Sequence, residues 1–558
     1  MVDFRKAILL LAVLVFATGI VSAQALNCTL NGGAPPLLRA EGVAEEVGQA
    51  FITCTGGAPT PTGQPLPRIN VRLFTNGYNI TSKLIALSST VTASEATLLI
   101  DDPAPAAQVW ANFPTPPQAP ACVAPYTGAA CGNMFFAHQV AGNPQAVEWR
   151  DIPFDPPGTG TRVLRFVNIR VNAALATGGN VTSLIPPPVN IFISITGTLT
   201  LPITSPFLAV GYIQNGLSFS VTSTTFTQCG QGGTFTAKFS ELFPNAFRVK
   251  GNPNPPFPYQ NDLTQIYNTE SMFWGGVPGD ASYLASGAGQ ATQATRLRLA
   301  FTGIPSGVNI KVPTSITLGP GALTISLVTA GTDGSTADSS GNVVLTGGAG
   351  SAVYEVTDGN PGATESISVP VTVSYSGLPA LGSGSVLGSF APISTTDVAS
   401  ATAPVPRFYQ NPTAQSAFTI VACETRLLFP FLTSIPDWDT GIAISNTTVD
   451  PFKTPAQEGP CTLYFYGTPS NSSQTSATIP AGGQLLMTLS NGNSTQNLSP
   501  LTGFTGYMIA VCNFQYAHGY AFISDLGANK FAQGYIALVI GEGLTSRYSV
   551  NEAEALNQ

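Results

Sequence analysis

Charge is what this sequence most lacks. Asp, Glu, Lys and Arg make up 9% of its 558 residues, against about 25% in an ordinary globular chain. Such poverty signals disorder only when apolar residues are scarce as well. Here 44% of residues are hydrophobic, so the chain can build cores. Its surface must then be covered mainly by Ser, Thr, Asn, Gln and Gly, as on many extracellular β-proteins. The balance is acidic, with a net charge of −8 and a pI near 4.8. Nucleic acid is therefore a poor partner, because binding it requires clustered Lys and Arg that displace counterions.

Among the charged residues lysine is the scarcest. After the first 23 residues it occurs only at Lys83, Lys238, Lys250, Lys311, Lys453 and Lys530. Lysine on edge strands is a common guard against unwanted sheet pairing. Without it, prolines, disulfides or neighbouring modules must protect the edges, or else the edges serve self-association by strand addition. Two histidines and no CxxC pair argue against a zinc site. There is no phosphate-binding loop of the P-loop form, no Gly-x-Ser-x-Gly elbow and no long helical period. The sequence implies no cofactor.

What is present points outward from the cell. "MVDFRKAILLLAVLVFATGIVSA" (1–23) places Arg5 and Lys6 before an apolar run that ends in small residues, the pattern of a secretory signal peptide. No later stretch is long and apolar enough to span a bilayer, so no transmembrane segment is expected in the mature chain. Eight cysteines in an exported chain read as disulfides. The near pairs are Cys28–Cys54, Cys122–Cys131 and Cys461–Cys512; Cys229 and Cys423 remain and pair by elimination.

Period-two alternation dominates the mature chain. "VNIFISI" sets Val189, Ile191, Ile193 and Ile195 on one face, and "LSFSVT" does the same with Leu217, Phe219 and Val221. "ISVPVTVSY" continues the pattern through Ile367, Val369, Val371, Val373 and Tyr375. Side chains alternate across a strand, so each run buries one face and wets the other, as in antiparallel sheets. The expected fold is all-β: tandem antiparallel β-sandwich modules, Ig-like or jelly-roll-like, joined by Pro-rich connectors. "RAEGVAEEVGQAFI" is the best helical candidate, but Gly42 and Gly48 interrupt it, and strand–turn–strand fits better. Proline clusters suggest the boundaries. A first module covers 24–100, followed by a Pro-rich connector with a small cysteine loop over 101–160. A second module covers 161–230, and a third covers 231–405 with an aromatic insertion at about 252–283. A C-terminal module covers 418–545, and 546–558 forms a tail.

Four stretches look familiar: "LLRAEGVAEEVGQAFITCTGG" (37–57), "TRVLRFVNIRVNA" (161–173), "LLFPFLTSIPDWDTGIAISNTTVDPF" (427–452) and "GFTGYMIAVCNFQYAHGYAFISDLG" (503–527). Together they resemble an uncharacterised family of secreted, multi-module, β-rich bacterial proteins. The resemblance implies a bacterial origin, export and β-modules. It carries no activity and no catalytic residue.

Each candidate site has a plainer reading. Cys512, His518 and Asp525 lie close in sequence, but a Cys–His nucleophile needs a free thiolate, and Cys461 removes it. "QYAHG" then reads as a hairpin connection between two strands, with His518 at the turn. His138 in "MFFAHQVAG" reads as a packed or turn residue. Asp437 and Asp439 in "PDWDTG" resemble the start of a calcium loop, but position 12 is Thr448 instead of Glu. A polar turn accounts for them, and Asp333 and Asp338 read as a loop between strands. In the insertion, Tyr267, Glu270, Phe273 and Trp274 form the kind of aromatic neighbourhood that stacks on sugars. Hydrolysis would further need a second carboxylate about 5 to 9 Å away, from Asp262 or Asp280.

The function expected is non-enzymatic: a secreted cell-surface or matrix protein with a structural or adhesive role. A glycan-binding protein using the insertion is the alternative, with a secreted glycoside hydrolase behind it. Expected partners are other copies of the chain through sheet edges, or surface glycans.

Overall fold

The computed structural model describes residues 24–87, 92–104, 107–109, 111, 122–251, 268–273, 287–409, 413–527 and 529–540. These residues are nearly all strand, arranged as tandem β-layered units around three main apolar cores. The alternation in the sequence is met residue by residue. In Ser366–Ser374, Ile367, Val369, Val371 and Val373 are buried, while Ser368, Pro370 and Thr372 are exposed.

The first unit is a 12-stranded sheet between Asn27 and Gln214, a continuous path with Leu84–Ala86 paired off it to Thr92–Ile100, folded over a core centred on Trp149 and Phe166, whose rings lie 5.0 Å apart. Its strands interleave along the sequence. Ala50–Gly56 pairs with Gly158–Val167, and Arg68–Thr75 lies between Asn143–Pro153 and Pro188–Gly197. This departs from the expected division. The 101–160 stretch is not a bare connector, because Met134–Val140, Asn143–Pro153 and the start of Gly158–Val167 are sheet strands within it. The stretches 24–100 and 161–230 do not form separate sheets. Alternation shows which face of a strand is apolar, but not which strand it pairs with.

The second unit lays a five-stranded sheet against a seven-stranded one. Leu217–Thr222 pairs with Gly232–Glu241 in the first; Arg296–Thr302, Gly350–Asp358 and Gly382–Ala391 are central in the second. Its strands run from Leu217 to Val421. The third unit, Thr425 to Ile540, is a sandwich of five and four strands over Leu427, Phe429, Phe465, Phe504 and Met508. All eight cysteines are paired: Cys28–Cys54, Cys122–Cys131, Cys229–Cys423 and Cys461–Cys512.

Most outer strands of these sheets are very short. Ile203–Thr204, Asn342–Val343 and Gln474–Thr475 have two residues each; Leu37–Arg39, Ser315–Thr317 and Leu538–Ile540 have three. A short edge offers few free backbone groups to a neighbour. It is an answer to edge protection that needs no lysine.

A cluster of buried charges lies where the first and second units meet. Arg39 lies at the end of the strand Leu37–Arg39 and is fully buried. Its Nε donates to Glu45 Oε1 at 2.8 Å. Its two terminal nitrogens donate to both oxygens of Glu270, at 2.7 and 3.1 Å, and one also reaches Thr295 Oγ1 and the Ala246 carbonyl. The guanidinium lies over the Phe408 ring, 4.7 Å from its centroid. Beside it, Arg170 donates to the carbonyls of Glu270 and Ala44, and its Nε stands 3.5 Å from Glu95. Glu95 in turn accepts from the Lys83 and Gly289 amides. Burial disfavours charge on Glu270, but Arg39 and Arg248 outweigh it and hold the carboxyl below its usual range.

A buried ion pair is costly to break, because the surviving charge is left without solvent or partner. Arg39→Met leaves Glu45 and Glu270 in that state. It is expected to cost about 3–5 kcal/mol in chemical denaturation; a loss below about 1 kcal/mol would show that the cluster does not hold the units together.

Two other buried acids respond to pH in the opposite sense. Burial raises Glu41 and Glu241 to about 7, despite backbone N–H donors from Gly216 and Leu217 on the first and from Phe247 and Glu365 on the second. Between the ordinary 4.5 and about 7, the folded protein therefore holds protons that the unfolded chain has released. Stability falls as pH rises through that window. Glu270 works against this at the acid end, since stability from a lowered carboxyl is lost as pH falls through its folded value. Thermal unfolding should accordingly give a higher midpoint near about pH 5.5 than near about pH 8. The Glu41→Gln, Glu241→Gln double variant should narrow that difference, leaving the part due to Glu46, which burial also raises to about 7.

Candidate functional site

The residues that suggested chemistry from sequence are mostly spent on structure. Glu270 and Phe273 are each 1% exposed, so neither can touch a sugar. Glu270 is the partner of Arg39, and Phe273 lies beneath the Arg165 guanidinium at 5.3 Å. Tyr267 and Trp274, with Asp262 and Asp280, lie outside the described residues. His138 sits on the strand Met134–Val140, opposite Glu148; burial and Arg150 push its pKa below the usual value.

His518 is not at a hairpin turn. Thr505–Cys512 and Ala517–Ser524 belong to different sheets of the C-terminal unit, so the intervening residues cross from one layer to the other. His518 is exposed on the outer face of the second strand, opposite Ser445. Cys512 is buried and bonded to Cys461, directly opposite it on the neighbouring strand. Asp525 accepts from the Gly527 and Asn529 amides. The three groups do not converge.

Asp439 is likewise occupied, by the amides of Thr440 and Ser490 and the Ser490 hydroxyl. Asp437 takes a positive φ of 67° after Pro436, which lets the Trp438 amide close a turn on the Ile435 carbonyl. Among the described residues, no group of three His, Cys, Asp or Glu side chains is placed to hold a metal. Asp333, in the short 3-10 turn Thr332–Gly334, pairs with Arg296, and Asp338 in the following loop accepts from Ser340 and Asn342.

That Pro436–Asp437 turn builds one of two hollows on the C-terminal unit. It returns Trp438 against Phe531, with ring centroids 5.5 Å apart in an edge-to-face arrangement. A bulge between Phe429 and Leu432 turns Phe431 outward beside them. Phe431, Ile435, Trp438, Ile523 and Phe531 thus line a hollow of about 350 Å³ at the end of the sandwich. Its polar lining is small: Thr433 and Thr505 share their hydroxyls with each other at 3.1 Å, and Gln533 adds an exposed amide.

The second hollow is a trough of about 450 Å³ on the outer face of the four-stranded sheet. Strand register sets its shape. Ala443 lies between Leu486 and Tyr520; Gly441 lies between Thr488 and Phe522. The centre strand therefore supplies a floor without bulk. Its walls are exposed: Leu486 49%, Tyr520 45% and Phe522 44%. No charged side chain lines either hollow.

No protein-family model matches the chain, and no curated protein matches it. Three solved structures to which it bears some likeness are bacterial. The C-terminal domain of the AgI/II polypeptide BspA from Streptococcus agalactiae is 7% identical, covers 65% of this chain and 95% of its own, and gives a TM-score of 0.23. The T6 backbone pilin of Streptococcus pyogenes is 7% identical over 92% of this chain and 80% of its own, with a TM-score of 0.17. The major pilin SpaD of Corynebacterium diphtheriae is 9% identical over 90% and 87%, with a TM-score of 0.18. Likenesses at these TM-scores do not amount to a superposable fold.

If His518 has no structural or nucleophilic task, His518→Ala should leave stability within about 0.5 kcal/mol of the parent. Cys512 should resist alkylation in the folded, unreduced protein. Labelling of Cys512 without reductant would reopen the nucleophile reading.

Proposed function

We propose that this chain is an exported, non-enzymatic structural or adhesive protein of a bacterial cell surface or extracellular matrix. The observation that carries the reading is where the ionisable groups lie. In the first two units, Arg39, Glu45, Glu95, Arg170 and Glu270 are buried and bonded to one another or to backbone. In the C-terminal unit, the two hollows carry only uncharged side chains. General acid–base chemistry needs a titratable group within reach of a bound substrate. A neutral aromatic surface on a rigid scaffold suits contact. Four disulfides agree with an oxidising compartment. Among the described residues, no helix is long and apolar enough to cross a membrane. In this reading the partners are surface glycans or further copies of the chain.

Fractionation of the native host, probed with antibody to the full chain, tests it. The protein is expected in the surface or matrix fraction, with disulfides intact. Recovery mainly from the cytoplasm, with free thiols, would overturn the proposal.

A further inference from the structure

The geometry points to the trough on the four-stranded sheet of the C-terminal unit as a binding site for the ring of a neutral carbohydrate. This rests on the adhesive reading and names the contact it would use.

The outer face of that sheet is a grid of three cross-strand rows. One row is polar: Gln484, Ser445 and His518. The next is apolar: Leu486, Ala443, Tyr520 and Ile536. The third is Thr488, Gly441, Phe522 and Gly534. The two glycines shape the last row. A Cβ on Gly441 would meet nothing nearer than the Phe522 carbonyl oxygen at 3.9 Å, so the floor there is open. A Cβ on Gly534 would strike the Tyr520 ring, with three ring and hydroxyl atoms within 3.0 Å. The Tyr520 ring thus lies across Gly534 and close to the sheet, with one face left to solvent.

A pyranose presents an apolar face of C–H groups and an equatorial rim of hydroxyls. The first matches exposed aromatic rings beside a floor without side chains. The second needs donors and acceptors: Thr488 and Asn493 line the trough, and exposed Gln484 and His518 stand in the adjoining row. No carboxylate, Lys or Arg lines the trough, so nothing in it would pair with the charge of an anionic sugar. The end hollow beside Trp438 has less polar lining, Gln533 beside two threonines bonded to each other, and suits a more apolar group. A second copy of the chain fits the trough less well: three rows of short strands fall below the roughly 20–30 residues per side that a stable interface uses.

The test is calorimetric titration of the full disulfide-bonded chain with neutral gluco-, manno-, galacto- and N-acetylhexosamine oligosaccharides, with an oligouronate as the anionic control. At least one neutral oligosaccharide should bind, and the oligouronate should not. Phe522→Ala should weaken binding about tenfold or more. Gly441→Val should do the same by filling the floor, and because valine suits a strand it keeps the fold. Tyr466→Ala, on the opposite sheet, should have no effect. Failure of every neutral oligosaccharide to bind, or unchanged affinity in Gly441→Val, would overturn the site. So would a concentration-dependent dimer that Gly441→Val dissolves, since a second copy would then own the face. None of these results alters where the protein fractionates, so the adhesive reading is judged separately.

Discussion

The buried guanidinium of Arg39 is the constraint on which the arrangement of the first two units depends. It takes Glu45 from its own turn, and it takes Glu270, Thr295 and the Ala246 carbonyl from sequence more than 200 residues away. A cation in an apolar interior is tolerable only when every donor has a partner, and an orphaned carboxylate is worse than none. The cluster therefore has few acceptable geometries. An apolar contact between the same units would tolerate sliding, whereas this one does not. In a chain with so little charge, so many ionisable groups at one junction fix placement more than they add stability.

The C-terminal unit is built on a different principle. Among its described residues the one ion pair within 4 Å is Arg426–Glu424, which is partly exposed. An apolar core holds its two layers together, and the Cys461–Cys512 bond staples two neighbouring strands within the five-stranded layer. Its exterior carries aromatic rings on both sheets. Tyr466 stacks on Tyr507 at 5.0 Å on one face, and Tyr520 and Phe522 stand on the other. Strand pairing already satisfies the backbone of such faces, so their side chains are free to be read by something else.

Alternation made the strands legible, and the turn signals located most of their ends. Partners were not legible. The prolines of 101–160 looked like a linker because prolines break local patterns, yet the tail of that stretch threads through the middle of a sheet. Glu270 looked like a sugar contact because its sequence neighbours are aromatic, whereas its charge is answered by Arg39, 231 residues away. His518 looked like a turn residue because Cys512 and Ala517 are close in sequence. They lie in different layers, and no local pattern records a change of layer. The trough escaped notice for the same reason: Gly441, Leu486 and Phe522 are unremarkable apart and become a site only through register.

Edges add one more consequence. Most outer strands are two or three residues long, but the four-stranded C-terminal sheet ends in Gln484–Thr488 and Ala532–Ile536, five residues each. These edges flank the trough. The Gln484–Thr488 edge is covered, since the Leu486 amide donates to Gln496 and the Leu486 and Gln484 carbonyls accept from Asn493 and Gln496. A chain added to the Ala532–Ile536 edge would extend the sheet and deepen the trough's wall, because a new strand places alternate side chains on the same face. Face and edge are therefore coupled on this unit. A ligand that fills the trough and a strand that pairs with its rim would meet over the same few residues, and occupancy of one bears on the other.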